Sequence, residues 1–202
     1  GSLWIATDAG LSHMDEKGFH NFTTDNGLSH FSMRCLLQDR NGDIWAGAER
    51  GVTHLRHGVP IRDPAIDALK DEKIWAEHED ADGGLWFGTR TDGLYRLRDG
   101  NLSHYTTANG LASNSIFSIL EDSNRHLWLS GPQGVMWLSR DELDAQAQDP
   151  EQSISMRFFN ANSAGEAPVR FYGGTQQAGI MTRSGKPCFL TSQGLWTIHP
   201  EE

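Results

Sequence analysis

Apolar and polar positions alternate in short runs along most of the chain, and the runs recur. "GSLWIATDAGLSHMD" at residue 1, "GDIWAGAERGVTHLR" at 42, "GGLWFGTRTDGLYRL" at 83 and "RHLWLSGPQGVMWLS" at 125 are variants of one pattern. Anchored on the aromatic of the L-W pair, the copies place Trp4, Trp45, Trp86 and Trp128 at spacings of 41, 41 and 42 residues. A fifth copy, "PCFLTSQGLWTIH", puts Phe189 in the tryptophan's place after a gap of 61, which implies an insertion of about twenty residues.

Within a unit the period-2 runs are four to eight residues long, rich in β-branched and aromatic residues, and punctuated by Gly, Asn and Asp. "SIFSILED", "HLWLSG" and "GVMWLS" read as strands A, B and C, and "NLSHYT" one unit earlier as strand D. Four short strands in a period of about 40 to 45 residues mark a β-propeller blade. The chain starts at a strand B, runs through three full units and ends with A, B and C of a fifth, which makes 18 strands and about four and a half blades. Closed propellers have about 4 to 8 blades, so residues 1–202 are read as one β-propeller segment, the C-terminal part of a larger propeller. "SRDELDAQAQDPEQS" breaks the pattern: Ser139 and Glu142 suggest a capping box, and a short helix is expected near 139–148, ended by Pro150.

The aligned columns carry physical meaning. Ten residues before the anchors stand Cys35, Ala76, Ser118 and Gly179, all small, as crowding at a central axis requires. Two and three residues after them stand further small pairs such as Gly47-Ala48 and Gly88-Thr89, where neighbouring blades must approach. The anchors themselves are expected to fill the space between blades. A carbohydrate platform is the alternative for the indoles, and recurrence at one position favours the core. Trp75, Trp137 and Trp196 fall outside that column, with Trp75 on an inner strand beside a loop.

The composition is that of a folded globular chain, with 37% hydrophobic residues, 22% charged residues and 22 glycines for tight turns. A formal charge of -10 opposes binding to nucleic acid or anionic lipid. No apolar run reaches the ~18 residues of a membrane span, and no leader pattern is present. Cys35 and Cys188 have no CxxC or CxxH neighbour and read as small buried hydrophobes.

The likeness to a known family rests on extended matches. "LWIATDAGLSHMDEKGFHNFTTDNGLSHFSMRCLLQDRNGDIW" and "NLSHYTTANGLASNSIFSILED" resemble the two-component regulator propeller repeat, with its LWIGT, NGL, V-x-x-I-x-x-D and G-x-LW elements. "RFYGGTQQAGIMTRSGKPCFLTSQGLWTIHP" is similar to the closing blade of such sensors. The unit around "GVPIRDPAIDALKDEKIW" lacks the NGL turn, Arg125 stands in place of a turn glycine, and Phe171-Tyr172 precede the GG. The resemblance implies the periplasmic or extracellular sensor region of a bacterial inner-membrane signalling protein. Its output would be a histidine kinase or a diguanylate cyclase outside this chain, and the membrane would be reached only through segments outside it. Several relatives of this kind sense oligosaccharides.

Candidate chemistry is sparse. The nine histidines show no HxH or HExxH spacing, so no metal site and no cofactor is expected. "HEDADGG" at 78 resembles a calcium loop, yet Asp39, Asp80 and Asp122 all lie six residues before an anchor and read as turn formers. No G-x-S-x-G occurs, and the reading is non-catalytic, with a lyase or hydrolase a third choice. The D-to-A and B-to-C loops should share one face of the propeller and carry Asp8, Asn26, His30, Arg34, Arg50, Lys73, Arg90, Asn109, Asn114 and Gln133. Of the loop-face residues, Arg34, Arg50, Trp75, Arg90 and Asn114 are the chosen ligand contacts. A ring of arginines suits a carboxylated or sulfated sugar held bidentately. The rival expectation is a structural or protein-docking propeller without a small-molecule ligand, and the open blade edges also invite self-association.

Overall fold

The computed structural model describes residues 2–160, 168–174 and 177–199. Among these residues eighteen strands form five antiparallel sheets. The first sheet holds β1 (Leu3–Thr7), β2 (Gly10–Asp15) and β3 (Gly18–Phe22). The second holds β4 (Met33–Gln38), β5 (Ile44–Ala48), β6 (Val52–Arg56) and β7 (Val59–Ile61). The third holds β8 (Ile74–Glu79), β9 (Leu85–Thr89), β10 (Leu94–Arg98) and β11 (Asn101–Tyr105). The fourth holds β12 (Ser118–Glu121), β13 (His126–Gly131), β14 (Gly134–Ser139) and β15 (Met156–Asn160). The fifth holds β16 (Gly179–Met181), β17 (Pro187–Thr191) and β18 (Gly194–Thr197). Each sheet is a meander, and inner strands β4, β8, β12 and β16 lie side by side in chain order. No strand pairing joins the first and last sheets among the described residues.

Four apolar clusters sit in the four gaps between the five sheets. Each is built round an anchor aromatic: Trp4 with Ile44 and Leu55, Trp45 with Ile74 and Phe87, Trp86 with Ile116 and Leu127, and Trp128 with Phe171 and Phe189. Trp86, Trp128 and Phe189 are fully buried, which bears out the wedge role read from the repeat. The small columns also behave as expected. A Cβ on Gly88 would lie 2.7 Å from Ile116 Cγ2 of the next blade, and one on Gly47 would lie 2.7 Å from Ile74 Cγ2.

Three of the four anchor indoles, Trp45, Trp86 and Trp128, are locked by a shared device. Asp80 Oδ2 accepts the Trp86 Nε1–H at 2.8 Å, while its Oδ1 accepts from the backbone N–H groups of Asp82 and Gly84. Asp39 and Asp122 do the same for Trp45 and Trp128. The aspartates are turn formers, as the sequence suggested, and indole acceptors as well. Phe189 has no N–H to satisfy, and the corresponding position is Arg183. Arg125, in the turn-glycine column, adopts φ 64°, close to the left-handed φ of 85° at Gly42 and 86° at Gly83.

Helix α1 (Arg140–Gln148) connects β14 to β15. The expected capping box is absent: Ser139 is the last residue of β14 and makes no side-chain cap bond, while Glu142 accepts instead from the Ser155 backbone N–H at 2.8 Å. The helix docks through Arg140, fully buried, whose guanidinium meets Asp80 at 3.1 Å, Asp82 at 2.7 Å and Glu121 at 2.5 Å.

Candidate functional site

The loop face is assembled by main-chain bonds between the two loop sets. Glu49 N–H donates to Ser32 O at 3.0 Å, Arg90 N–H to Lys73 O at 2.9 Å and Gly93 N–H to Asn114 O at 2.8 Å. Two NGL turns stiffen the longer loops as capped 3-10 turns, Thr23 with Asn26 and Thr106 with Asn109. The asparagine side chains are committed to those caps, and Gly27 and Gly110 close them at φ 100° and 114°. In the unit lacking NGL, Asp63 caps a 3-10 turn over Pro64–Leu69.

The five sequence-chosen residues divide into three places. Arg34 and Arg50 line one open depression of about 630 Å³ together with Lys73, Glu49, Asp71, His30 and Phe31. Arg34 Nε donates to Glu49 Oε1 at 2.7 Å and Lys73 Nζ lies 3.2 Å from Glu49 Oε2, while Arg50 meets Asp71 at 3.4 Å. Burial raises the Glu49 pKa, but hydrogen bonds from Lys73 and Arg34 outweigh it, so the group lies below the ordinary 4.5. Three cations and two carboxylates thus line the depression in an otherwise acidic chain, and Arg34 also reaches Asp8 at 3.5 Å. Phe31, stacked on His30 at 4.2 Å and 56% exposed, adds an apolar platform that no repeat position signalled.

Trp75 and Arg90 come together elsewhere. The Arg90 guanidinium lies 5.3 Å from the Trp75 ring centroid, and Phe117 packs 5.3 Å from the same ring. The Gly173-Gly174 pair closes over these aromatics: a Cβ on Gly174 would come within 3.1 Å of the indole, and one on Gly173 within 2.4 Å of Phe117. Asn114 joins neither place; its Oδ1 accepts the Thr107 N–H at 2.8 Å.

Behind Trp75 lies a central cavity of about 210 Å³ lined by the small inner-strand column, Cys35, Ala76, Ser118 and Gly179, with Glu77 and His78 beside it. Burial, opposed only in part by the neighbouring Cys35 thiol, leaves the Glu77 carboxyl well above 4.5. Cys35 and Cys188 are buried free thiols. Among the described residues no group of three or more potential metal-ligating His, Cys, Asp or Glu side chains converges, and no helix is long and apolar enough to cross a membrane.

Radial four-stranded sheets wedged by aromatics define a β-propeller. The family model described as "Two component regulator propeller" matches residues 68–91 and 110–133, and the chain carries repeats of that family there. A curated relative, "Histidine kinase P4" of Formosa agariphila, is 24% identical over 178 residues, covering 80% of this chain and 13% of its own length. Among solved structures, an extracellular domain of the hybrid two component system BT3049 from B. thetaiotaomicron superposes with a TM-score of 0.75 at 21% identity. That match covers 99% of this chain and 26% of the other. Virginiamycin B lyase from Staphylococcus aureus matches with a TM-score of 0.63 at 14% identity, covering 98% and 66%. The chain thus spans a small part of the signalling proteins it resembles.

Proposed function

We propose that this chain is a non-catalytic part of the extracytoplasmic sensor propeller of a two-component signalling protein, and that its loop face binds an acidic oligosaccharide. The carrying observation is the depression at Arg34, Arg50 and Lys73, where three cations gather beside the exposed Phe31 in an acidic chain. Arg50 and Asp71 are both more than 60% exposed, so their pairing contributes only about 0–1 kcal/mol and exchanges readily for a ligand carboxylate or sulfate. Guanidinium forks suit such groups, and an aromatic face suits the apolar side of a sugar ring. The two-component regulator propeller repeats support the signalling context. For occupancy to signal, the ligand must bind two arrangements of the intact protein unequally.

A thermal-shift screen of oligogalacturonate, sulfated disaccharides and neutral oligosaccharides tests this reading. Stabilisation confined to the acidic probes is expected, and no stabilisation by any acidic probe would contradict it. A docking role has its own support in the exposed apolar side chains of the first and last sheets, Leu3, Phe19 and Leu195 among them.

A further inference from the structure

Inner strand β8 carries a carboxyl group that the blade frame does not use. Both Glu77 oxygens are buried and neither has a hydrogen-bond partner among the described residues. Trp75, two positions earlier, buries its Nε1–H equally unpartnered. Both side chains line the central cavity, with Phe117 as a second aromatic wall. Buried polar groups left unpaired destabilise a fold, so these two, with His78 Nε2 a third in the same cavity, call for an explanation.

The neighbours do not supply one. The Cys35 thiol donates to Ile74 O at 3.7 Å, and His78 Nε2 faces Glu121 Oε2 at 3.6 Å. Among the described residues no Lys or Arg lines the cavity. By contrast, Asp39, Asp80 and Asp122 are each committed to an indole and a turn. Arg90 above the Trp75 ring shows that this aromatic face accommodates a planar cation. A single buried acid between aromatic walls disfavours anions, and its ionised form is a negative charge that an entering cation would match.

We propose that the central cavity binds a small organic cation, a primary amine or a guanidine, with Glu77 as counter-ion and Trp75 and Phe117 as aromatic walls. This site is separate from the loop-face depression and goes beyond the oligosaccharide reading. The proton balance follows from burial, which keeps the empty site's Glu77 protonated well above the ordinary carboxylate range. When the protonated amine enters, the Glu77 O–H bond breaks, its proton passes to solvent, and a charge-assisted N–H···O bond forms. The other titratable groups around the carboxyl are Cys35, also held protonated by burial and by Glu77, and His78 beside Glu121. Binding therefore releases about one proton and tightens as pH rises toward the Glu77 pKa.

Calorimetric titration of the chain with benzylamine and with agmatine, in two buffers of different ionisation enthalpy, tests the site; benzyl alcohol is the neutral control. Saturable binding of an amine with release of about one proton is expected, with at least a roughly tenfold loss in Glu77→Gln. Trp75→Phe, which keeps the charge and an aromatic face, should weaken binding severalfold. Equal binding of benzyl alcohol, undiminished binding by folded Glu77→Gln, or no amine binding would overturn the proposal. Loop-face binding of acidic sugars should survive Glu77→Gln, so the two readings fail independently.

Discussion

At the scale of single residues, the blade is held by planar groups stacked on planar groups. Directly across from each anchor on the third strand stands a second flat side chain: His13 on Trp4 at 4.1 Å, His54 on Trp45 at 3.8 Å, and the Arg96 guanidinium on Trp86 at 4.7 Å. Trp137 faces Trp128 and Trp196 faces Phe189 in the same register. The carboxylates beneath differ in what they hold. Asp80 serves Trp86, two backbone N–H groups, Arg96 and Arg140, whereas Asp122 serves Trp128, backbone N–H groups and His126. Asp80→Ala takes a shared carboxylate from two buried guanidiniums, leaving Arg96 to Asp144 and Arg140 to Asp82 and Glu121, and is expected to cost about 3–5 kcal/mol in urea unfolding. Asp122→Ala leaves an indole and amides unpaired and should cost about 1–3 kcal/mol. Equal losses would show that the arginines do not depend on Asp80. The sequence displayed the anchors and the aspartates because their identity repeats. It hid the covering partners because only their flatness repeats, with His, Arg and Trp interchanging. Phe31 and Glu77 were invisible for a related reason: each occurs in a single unit, and only the loop fold and the inner-strand packing reveal what each faces.

At the scale of elements, helix α1 is tied to the third and fourth blades by charge more than by its own cap. Arg140, Arg125 and Arg96 converge on Asp80, Asp82, Glu121 and Asp144. Hydrogen bonds from Arg125 and Arg140 bring the Asp82 pKa to about 2 from 3.8. Burial raises Asp80 and Glu121, but Trp86 and arginine contacts for the first, and His78 and Arg140 for the second, carry both below their ordinary values. Folded-state values below unfolded ones stabilise the fold fully above the unfolded pKa and lose that stabilisation as pH falls through the folded pKa. Thermal midpoints should therefore fall between about pH 4.5 and pH 2. Arg140→Leu should start lower at neutral pH, by about 3 kcal/mol, and show a shallower acid decline. A decline as steep as in the parent chain would place the acid sensitivity elsewhere. The helix was legible in its composition, but its capping box was not realised, because Ser139 is held in β14 opposite His126 and Glu142 turns to Ser155.

At the scale of the whole molecule, four aromatic-wedged interfaces join five sheets, and the first and last sheets expose apolar side chains among the described residues. Leu3, Met14 and Phe19 are exposed on the first sheet, and Ile180, Leu190 and Leu195 on the last. Such faces at the ends of a repeat array associate, and we expect the chain to self-associate in sedimentation velocity across the micromolar range. Phe19→Glu and Leu195→Glu together should restore a monomer, while association unchanged by both would place the contact on another surface. The strand count and blade order were readable from the repeat alone, since every blade obeys the same local rules; the ligand face was readable only as a set of loops, since its side-chain pairing is set between blades. The most direct measurement for the sensor reading is calorimetric titration of a sulfated disaccharide onto the parent chain and onto Arg50→Ala/Lys73→Ala. Saturable binding that weakens with added salt and falls at least about tenfold in the double variant is expected. Binding of equal strength in both proteins, or none in the parent chain, would contradict it.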